Sequence, residues 1–321
     1  NNCGSGKTPW GTYLACEENW AAYWYMPPGS ADVDERTKAS RQRYNVINAP
    51  VSSPTALVGS QGWASVSDTD DRFARFNVSA PAATPAGDFR NEPNTFGYNV
   101  EIDPLDRKAV PAKRVAMGRF AHEAAVCGLP EKGQPLAFYM GCDSVNEYIY
   151  KFVSKAKWDP RDVGGGMAAG DKYLNEGKLY AAKFNADGTG QWLELDIAKL
   201  PPSFPVGTRT YTFANQADVL VNTRIAASAA GATPMDRPEW GAVNPKNGEV
   251  YFTMTNNSSR NIGNTDAANP RAYAGSNGST GSGNPNGHII RLKEDGTRAT
   301  ATAFDWDIFL FGAPAAAPAN L

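Results

Sequence analysis

Short aromatic and β-branched segments recur along this chain, and turn signals separate them about every 10 to 20 residues. Segments with the two-residue alternation of a strand include 11–16, 96–102, 148–153, 178–184 and 249–255. Hairpin signals follow several of them, such as Asp-Gly at 187–188 and Asn-Gly at 247–248. The pattern predicts an all-β fold of stacked four-stranded sheets, for which a β-propeller is the best fit and a pair of β-sandwiches the alternative.

Three kinds of region depart from this pattern. The polar stretches 51–95 and 256–283 are predicted to be long loops, and the glycine-rich run 164–170 a shorter one. The alanine-rich stretch 216–230 is predicted to form a helix or two turns of one. Residues 1–321 are interpreted as a single, partial propeller domain, because both ends of the chain read as cuts through a larger protein.

Charge and composition exclude several functions. The 31 basic residues nearly balance the 33 acidic ones, so no basic surface for nucleic acid is expected. The sequence has no apolar run of the length, about 18 residues, that spans a membrane. It also lacks a Gly-x-Ser-x-Gly elbow and a complete phosphate-binding loop. Two histidines cannot build a histidine-rich zinc site, so any metal shell must rely on carboxylates.

The densest chemical run lies where the first of these predicted strands ends. Cys16 is followed by Glu17 and Glu18, and strand alternation puts Cys16 and Glu18 on one face. A thiolate beside carboxylates can form a mixed sulfur and oxygen shell around a metal ion. The plain alternative is a cysteine in the sheet followed by two solvated acids.

Three further runs contain residue types that bind metal ions or phosphate. Glu123 follows a histidine, Asp143 follows a predicted strand, and Arg237 and Glu239 flank a proline. Because proline favours an extended residue before it, Arg237 and Glu239 are expected on one side of the backbone. The arginine could then hold phosphate oxygens while the glutamate binds a cation. The plain alternatives are surface ion pairs, a histidine whose hydrogen bonds are made within the protein, and an aspartate in an ordinary turn.

Taken in their order along the chain, several stretches resemble the PhoX alkaline phosphatase family. They lie at 2–3, 8–19, 96–104, 118–123, 139–141, 147–154 and 236–239. The resemblance implies a six-bladed propeller that hydrolyses small phosphomonoesters at a mixed iron–calcium cluster. It also implies export in folded form by the twin-arginine pathway, hence a periplasmic or secreted protein, and a monomer is expected.

The resemblance further implies roles for individual residues. Cys16 would be the iron-binding thiolate of a cluster that contains Fe³⁺ and Ca²⁺. The carboxylate ligands that it implies are Glu18, Glu123, Asp143 and Glu239. Arg237 would hold the substrate phosphate, with Lys7 as a helper.

Two residues depart from the family pattern. Cys142 stands where the family usually has the first of two consecutive aspartates, and Ala121 replaces a more usual lysine. Cys142 either alters the metal shell or pairs with Cys127 across a hairpin. Two other functions therefore stay open at this point: a non-catalytic calcium-binding propeller of the same family, and a calcium-dependent propeller lactonase.

Overall fold

The computed structural model describes residues 2–27, 30, 33–47, 57–58, 61–63, 66–67, 69–273, 283–297 and 299–313. Strands dominate this part of the chain, and both strands and helices are numbered here in chain order. The strands are β1 (Asn2–Lys7), β2 (Tyr13–Glu17), β3 (Tyr25–Met26), β4 (Leu57–Val58), β5 (Asn99–Ile102), β6 (Ala112–Lys113), β7 (Val126–Cys127), β8 (Pro135–Gly141), β9 (Val145–Glu147), β10 (Ile149–Lys157), β11 (Gly177–Phe184), β12 (Thr189–Glu194), β13 (Ser203–Val206), β14 (Arg209–Thr212), β15 (Met235–Asp236), β16 (Pro238–Val243), β17 (Val250–Met254), β18 (His288–Glu294) and β19 (Ala303–Phe311). The helices are α1 (Glu35–Arg43), α2 (Asp71–Ala74), α3 (Gly166–Leu174), α4 (Gln216–Val221) and α5 (Thr223–Ala230).

Two antiparallel sheets make up most of the fold. A four-stranded sheet has the order β1-β2-β5-β6, and a nine-stranded sheet has the order β16-β17-β18-β19-β12-β11-β10-β8-β7. Three two-stranded pairs, β13-β14, β15-β9 and β3-β4, complete the sheets of the described residues. The nine-stranded sheet curves until the backbone of Gly141 in β8 meets the carbonyl oxygens of Pro238 and Glu239 in β16. It is therefore a nearly closed, barrel-like sheet.

A short junction divides the nine-stranded sheet. The pairing of β12 with β19 covers only 189–191 against 303–305, whereas β18 and β19 pair along nearly their whole length. The junction separates a four-stranded unit, β16 to β19, from a five-stranded one, β12 to β7. The prediction of an all-β, sheet-rich fold is confirmed. One separate four-stranded sheet is present, β1-β2-β5-β6, whereas the four strands β16 to β19 belong to a larger sheet because β19 also bonds to β12.

Strand β8 and the first six residues of β10 are buried on both faces, which β8 illustrates. Phe138 and Met140 pack into a core that also takes residues of α3 and α5. Ala137 and Tyr139 point the other way, into a second core that residues of β12, β17 and β18 share. This alternation is the two-residue period that the sequence pattern predicted. Since strands from distant parts of the sheet meet in the second core, that core is the interior of the curved sheet.

The second core contains a buried ion pair. Lys151 of β10 is fully buried and pairs with the carboxylate of Glu294 at the end of β18. The same carboxylate accepts hydrogen bonds from the Tyr139 hydroxyl at 2.6 Å and the Trp192 indole nitrogen at 2.7 Å. Burial raises the pKa of Glu294 and lowers the pKa of Lys151, so each charge depends on the other. The pair links the two units of the sheet.

The helices were predicted less well than the strands. The stretch 216–230 is helical, as expected, but forms α4 and α5 with a break at Asn222. The predicted loop at 164–170 is wrong, because most of it belongs to α3. Burial of Ala169, Tyr173 and Leu174 in the first core stabilises this helix despite its glycines. Helix α1 was not predicted.

The described parts of the two predicted long loops contain short helical turns. Of 51–95, residues 57–58, 61–63, 66–67 and 69–95 are described, and they contain β4, α2 and short 3₁₀ turns. Of 256–283, residues 256–273 and 283 are described, with one 3₁₀ turn at Ile262–Asn264. No helix in the described residues is both long enough and apolar enough to cross a membrane.

Replacement of Lys151 by Met is expected to lower the free energy of unfolding by about 3–5 kcal/mol, because it leaves the Glu294 carboxylate buried without a counter-charge. The matched control is Lys155→Met on the same strand. Lys155 forms an exposed ion pair with Glu176, and the loss of such a solvated pair changes the stability little. Urea denaturation followed by tryptophan fluorescence measures both. Equal losses in the two variants would contradict the role of the buried pair.

Candidate metal centre

An extended segment, 118–125, connects the two sheets. The backbone nitrogen of His122 donates to the carbonyl of Glu17 at 3.2 Å, at the end of β2. The backbone nitrogen of Glu123 donates to the carbonyl of Gly141 at 3.3 Å, at the end of β8. The segment therefore brings the Glu123 side chain to the place where strands of both sheets end.

Two glycines allow the backbones around this segment to come close. A Cβ atom on Gly4 of β1 would lie 1.2 Å from the carbonyl oxygen of Glu123. A Cβ atom on Gly141 would lie 2.5 Å from the carbonyl oxygens of both Pro238 and Glu239. No other residue fits at either position without backbone movement, since real Cβ atoms do not approach oxygen this closely. These contacts bring β1, the segment 118–125 and β16 together.

A thiol and two carboxylates converge at this point. The Sγ atom of Cys3 and carboxylate oxygens of Glu18 and Glu123 all lie within 4.8 Å of one another. Cys3 comes from β1, Glu18 follows β2, and Glu123 lies in the connecting segment. Among the described residues, this is the group of cysteine, histidine and acidic side chains whose spacing suits a metal ion.

The acidic groups in this cluster disfavour one another's charged forms. Burial, together with the neighbouring Glu123, raises the pKa of Glu18 to about 8. The pKa of Glu123 is also raised, chiefly by burial, and Asp143 and Glu239 add to the effect. A hydrogen bond with Glu123, followed by burial, raises the pKa of Cys3 to about 12. A cation at this point would favour the deprotonated forms of all three ligands.

Asp143 and Glu239 extend the acidic cluster. The Asp143 side chain is almost completely buried, and its Oδ2 atom accepts a 2.8 Å hydrogen bond from Arg237. Its Oδ1 atom is buried with no hydrogen-bond partner among the described residues. Burial and the charge of Asp143 raise the pKa of Glu239. A cation can bind beside a carboxylate oxygen that has no hydrogen-bond partner and that lies next to acidic groups with raised pKa values.

Arg237 is held in place by its neighbours and by an unusual backbone conformation. Its guanidinium also donates to the Oδ1 atom of Asn256 at 3.2 Å, and about a third of the side chain (31%) stays exposed. Its φ angle is +56°, in the left-handed region that costs about 1–3 kcal/mol for a residue other than glycine. An exposed arginine fork beside the acidic cluster can bind an anion such as phosphate.

Most of the residues that the sequence singled out lie together in this cluster. They are Glu18, Glu123, Asp143, Arg237 and Glu239. The two predicted residues that stand outside it are Cys16 and Lys7. Cys16 lies nearby, since burial and then the charges of Glu123, Cys3 and Glu18 raise its pKa. The thiol that the structure brings to the cluster instead belongs to Cys3, which was noted only as part of a resembling phrase.

Cys16 is not in the ligand group because its side chain points into the first core. It is fully buried, and its Sγ atom donates to the Oδ1 atom of Asn99 at 3.2 Å. The expectation that Cys16 and Glu18 share a strand face does not hold, since β2 ends at Glu17 and alternation stops there. The signal that points to Cys3 is the pairing of Asn2 with Glu17, which brings the start of β1 beside the end of β2.

Lys7 and His122 have other positions. Lys7 is an exposed residue at the opposite end of β1 from Cys3, and four residues of strand span about 13 Å. His122 is fully buried, with its Nε2 atom 3.0 Å from the carbonyl of Gly118 and its ring stacked on Phe120. Burial lowers the pKa of His122 to about 3, so it is a neutral packing residue.

Cys142 belongs neither to a disulfide nor to the ligand group. All four cysteines are free, so the alternative of a Cys127–Cys142 bridge is not realised. The Sγ atom of Cys142 lies 3.1 Å from the Nη2 atom of Arg224. Burial raises the pKa of Cys142 to about 12 despite this arginine.

Comparisons with known proteins identify the family. A model of the family described as "Alkaline phosphatase PhoX" matches residues 1–320. Among solved structures, the chain is similar to Pseudomonas fluorescens PhoX in complex with vanadate, a transition state analogue, with 35% sequence identity and a TM-score of 0.70. The match covers 96% of this chain and 47% of that chain, so the chain spans about half the length of that relative.

No curated protein sequence matched the chain. The family match extends over nearly the whole chain, and the structural match has both the fold and a third of the residues in common with a PhoX protein. The chain therefore belongs to the alkaline phosphatase PhoX family.

Proposed function

We propose that the cluster described above is the site of a metal-dependent phosphomonoesterase. The observation that carries the proposal is the convergence of Cys3, Glu18 and Glu123 next to Asp143, whose buried Oδ1 atom has no partner among the described residues. The family membership and the vanadate complex of the Pseudomonas relative support it. Because the chain spans about half of that relative, the activity of the whole protein is part of the proposal.

The donor set fits the Fe³⁺ and Ca²⁺ ions that the family resemblance implies. Carboxylate oxygens are the ligands that calcium and ferric iron prefer, and one thiolate favours a transition metal at one position. We assign Cys3, Glu18, Glu123, Asp143 and Glu239 as the ligands. This assignment replaces Cys16 with Cys3. When bound, the ions would supply Lewis-acid stabilisation of the charge on the phosphoryl group.

The side chains of the chain would bind and orient the substrate. The exposed fork of Arg237 would bind two phosphate oxygens, and its hydrogen bonds to Asp143 and Asn256 would fix its direction. Since the guanidinium is already in place, little conformational freedom is lost when the phosphoryl group binds. Lys7 stays a prediction from the resemblance, and its distance from Cys3 does not favour a direct role.

The fold and the location in the cell extend this proposal. The four-stranded β1-β2-β5-β6 sheet and the two units on either side of the β12–β19 junction are the kind of modules from which propellers are built, which supports a six-bladed propeller for the whole protein. Export to the periplasm or beyond is proposed from family membership.

Replacement of Cys3 by Ala is expected to remove the iron and to lower kcat/KM for p-nitrophenyl phosphate by about 100-fold or more, because a metal ligand and the charge stabilisation that depends on it are lost. Elemental analysis and steady-state kinetics on the full-length protein measure both effects.

Cys16→Ala is the matched control for this experiment. It removes an equally small thiol from the core, and we expect a loss of about 1 kcal/mol in stability with iron and activity retained. Loss of iron in Cys16→Ala alone would restore Cys16 as the ligand. A parent protein that contains only zinc or no metal, or that hydrolyses lactones and not phosphate esters, would contradict the proposed function.

Replacement of Arg237 by Gln is expected to lower kcat/KM for p-nitrophenyl phosphate by about 100-fold, because a bidentate contact with the phosphate is lost. The iron and calcium contents should stay unchanged, because the substitution removes none of the proposed metal ligands. Arg237→Lys keeps the charge but not the two-pronged guanidinium, so its kcat/KM should lie between those of the parent protein and Arg237→Gln. Arg291→Gln on β18, which breaks an exposed pair with Asp307 of β19, is the control. An Arg237→Gln enzyme with parental kcat/KM would remove Arg237 from the site.

A further inference from the structure

A cleft of about 290 Å³ opens beside the proposed metal centre. The residues that line it include Glu18, Asp143, Ser144 and Arg224. The proposed phosphate position therefore borders a space that is large enough for the alcohol part of a small ester. Arg224 is the basic residue in the lining of the cleft, which makes it the candidate for contact with a leaving group.

The guanidinium of Arg224 is fixed in direction. Its Nη2 atom donates to the Sγ atom of Cys142 at 3.1 Å and to the Oγ atom of Ser144 at 3.0 Å. Its Cζ atom also lies 5.2 Å from the centre of the Tyr44 ring, which supports the guanidinium by a cation–π contact. Because the thiol and the hydroxyl carry no negative charge, these contacts orient the guanidinium but do not neutralise it.

The positive charge of Arg224 is only partly balanced. Its ion-pair partner among the described residues is Glu147, at the long distance of 3.5 Å. The other oxygen of Glu147 is held more closely by Arg43, which does not line the cleft. Two arginines thus share one carboxylate, which leaves about one positive charge next to the cleft. A largely buried charge without a full counter-charge is costly and favours an anion from outside.

We propose that Arg224 makes the enzyme select phosphomonoesters whose alcohol part carries a second anionic group. This inference rests on the proposed function, and it names the class of substrate. The phosphoryl group would lie at the acidic cluster and Arg237, and the second anion would extend along the cleft to Arg224. Selectivity of this kind arises because the arginine is already oriented and partly desolvated before the substrate binds.

The test compares two non-hydrolysable probes of the same shape, phosphonopropionate and its neutral amide, phosphonopropionamide. Calorimetry on the metal-loaded, full-length protein gives the two dissociation constants. The parent protein is expected to bind the acid about tenfold more tightly than the amide, which corresponds to about 1.4 kcal/mol. In Arg224→Gln this ratio should fall to about one.

Arg291→Gln is the matched control, because it removes the same charge outside the cleft lining, where Arg291 forms an exposed pair with Asp307. We expect it to keep the tenfold ratio. Cys142→Asp tests the inference without the loss of Arg224, since a carboxylate at the position of the thiol would neutralise the guanidinium and abolish the preference. Thermal melting shows whether each variant folds.

The outcomes separate the two proposals. Equal binding of both probes by a parent protein that hydrolyses p-nitrophenyl phosphate overturns the role of Arg224 and leaves the phosphatase intact. An equal loss of preference in Arg291→Gln and Arg224→Gln overturns it as well. A parent that neither binds the phosphonates nor hydrolyses the ester overturns the proposed function, and the inference falls with it.

Discussion

The close approach of backbones at Gly4 and Gly141 is the constraint on which the rest of the site depends. At both positions a carbonyl oxygen occupies the space where any other residue would have its Cβ atom. These contacts let the segment 118–125 lie between the end of the four-stranded sheet and the near-closure of the nine-stranded one. Because the contacts involve main-chain atoms, they fix the direction of Glu123 and Glu239 before any side chain interacts.

The same convergence has an electrostatic cost. Carboxylates crowded at one point raise one another's pKa values, and the buried Oδ1 atom of Asp143 stays without a partner among the described residues. Arg237 offsets part of this negative charge, and its left-handed backbone shows that the position is held against a conformational preference. Strain and unbalanced charge in one place are typical of a binding site, where a ligand or metal ion supplies the missing interaction.

Sequence reasoning predicted the strands and most of the acidic residues of the candidate site, since both depend on local signals. It failed where a residue's direction depends on a strand boundary. Alternation suggested that Cys16 accompanies Glu18, yet β2 ends at Glu17 and Cys16 packs in the core. Cys3 reaches the site through the register of β1 on β2, which no spacing within either strand encodes.

The sequence by itself determined that the chain is rich in strands, that any metal shell must consist mainly of carboxylates, and that the family resemblance is ordered along the chain. Periodicity, composition and motif order carry this information because each is a property of neighbouring residues. Only the tertiary structure decided which thiol joins Glu18 and Glu123. It also decided that Arg224 lines the adjoining cleft and shares its counter-charge, Glu147, with Arg43. These facts depend on contacts between residues far apart in the chain, which arise only when the sheets pack.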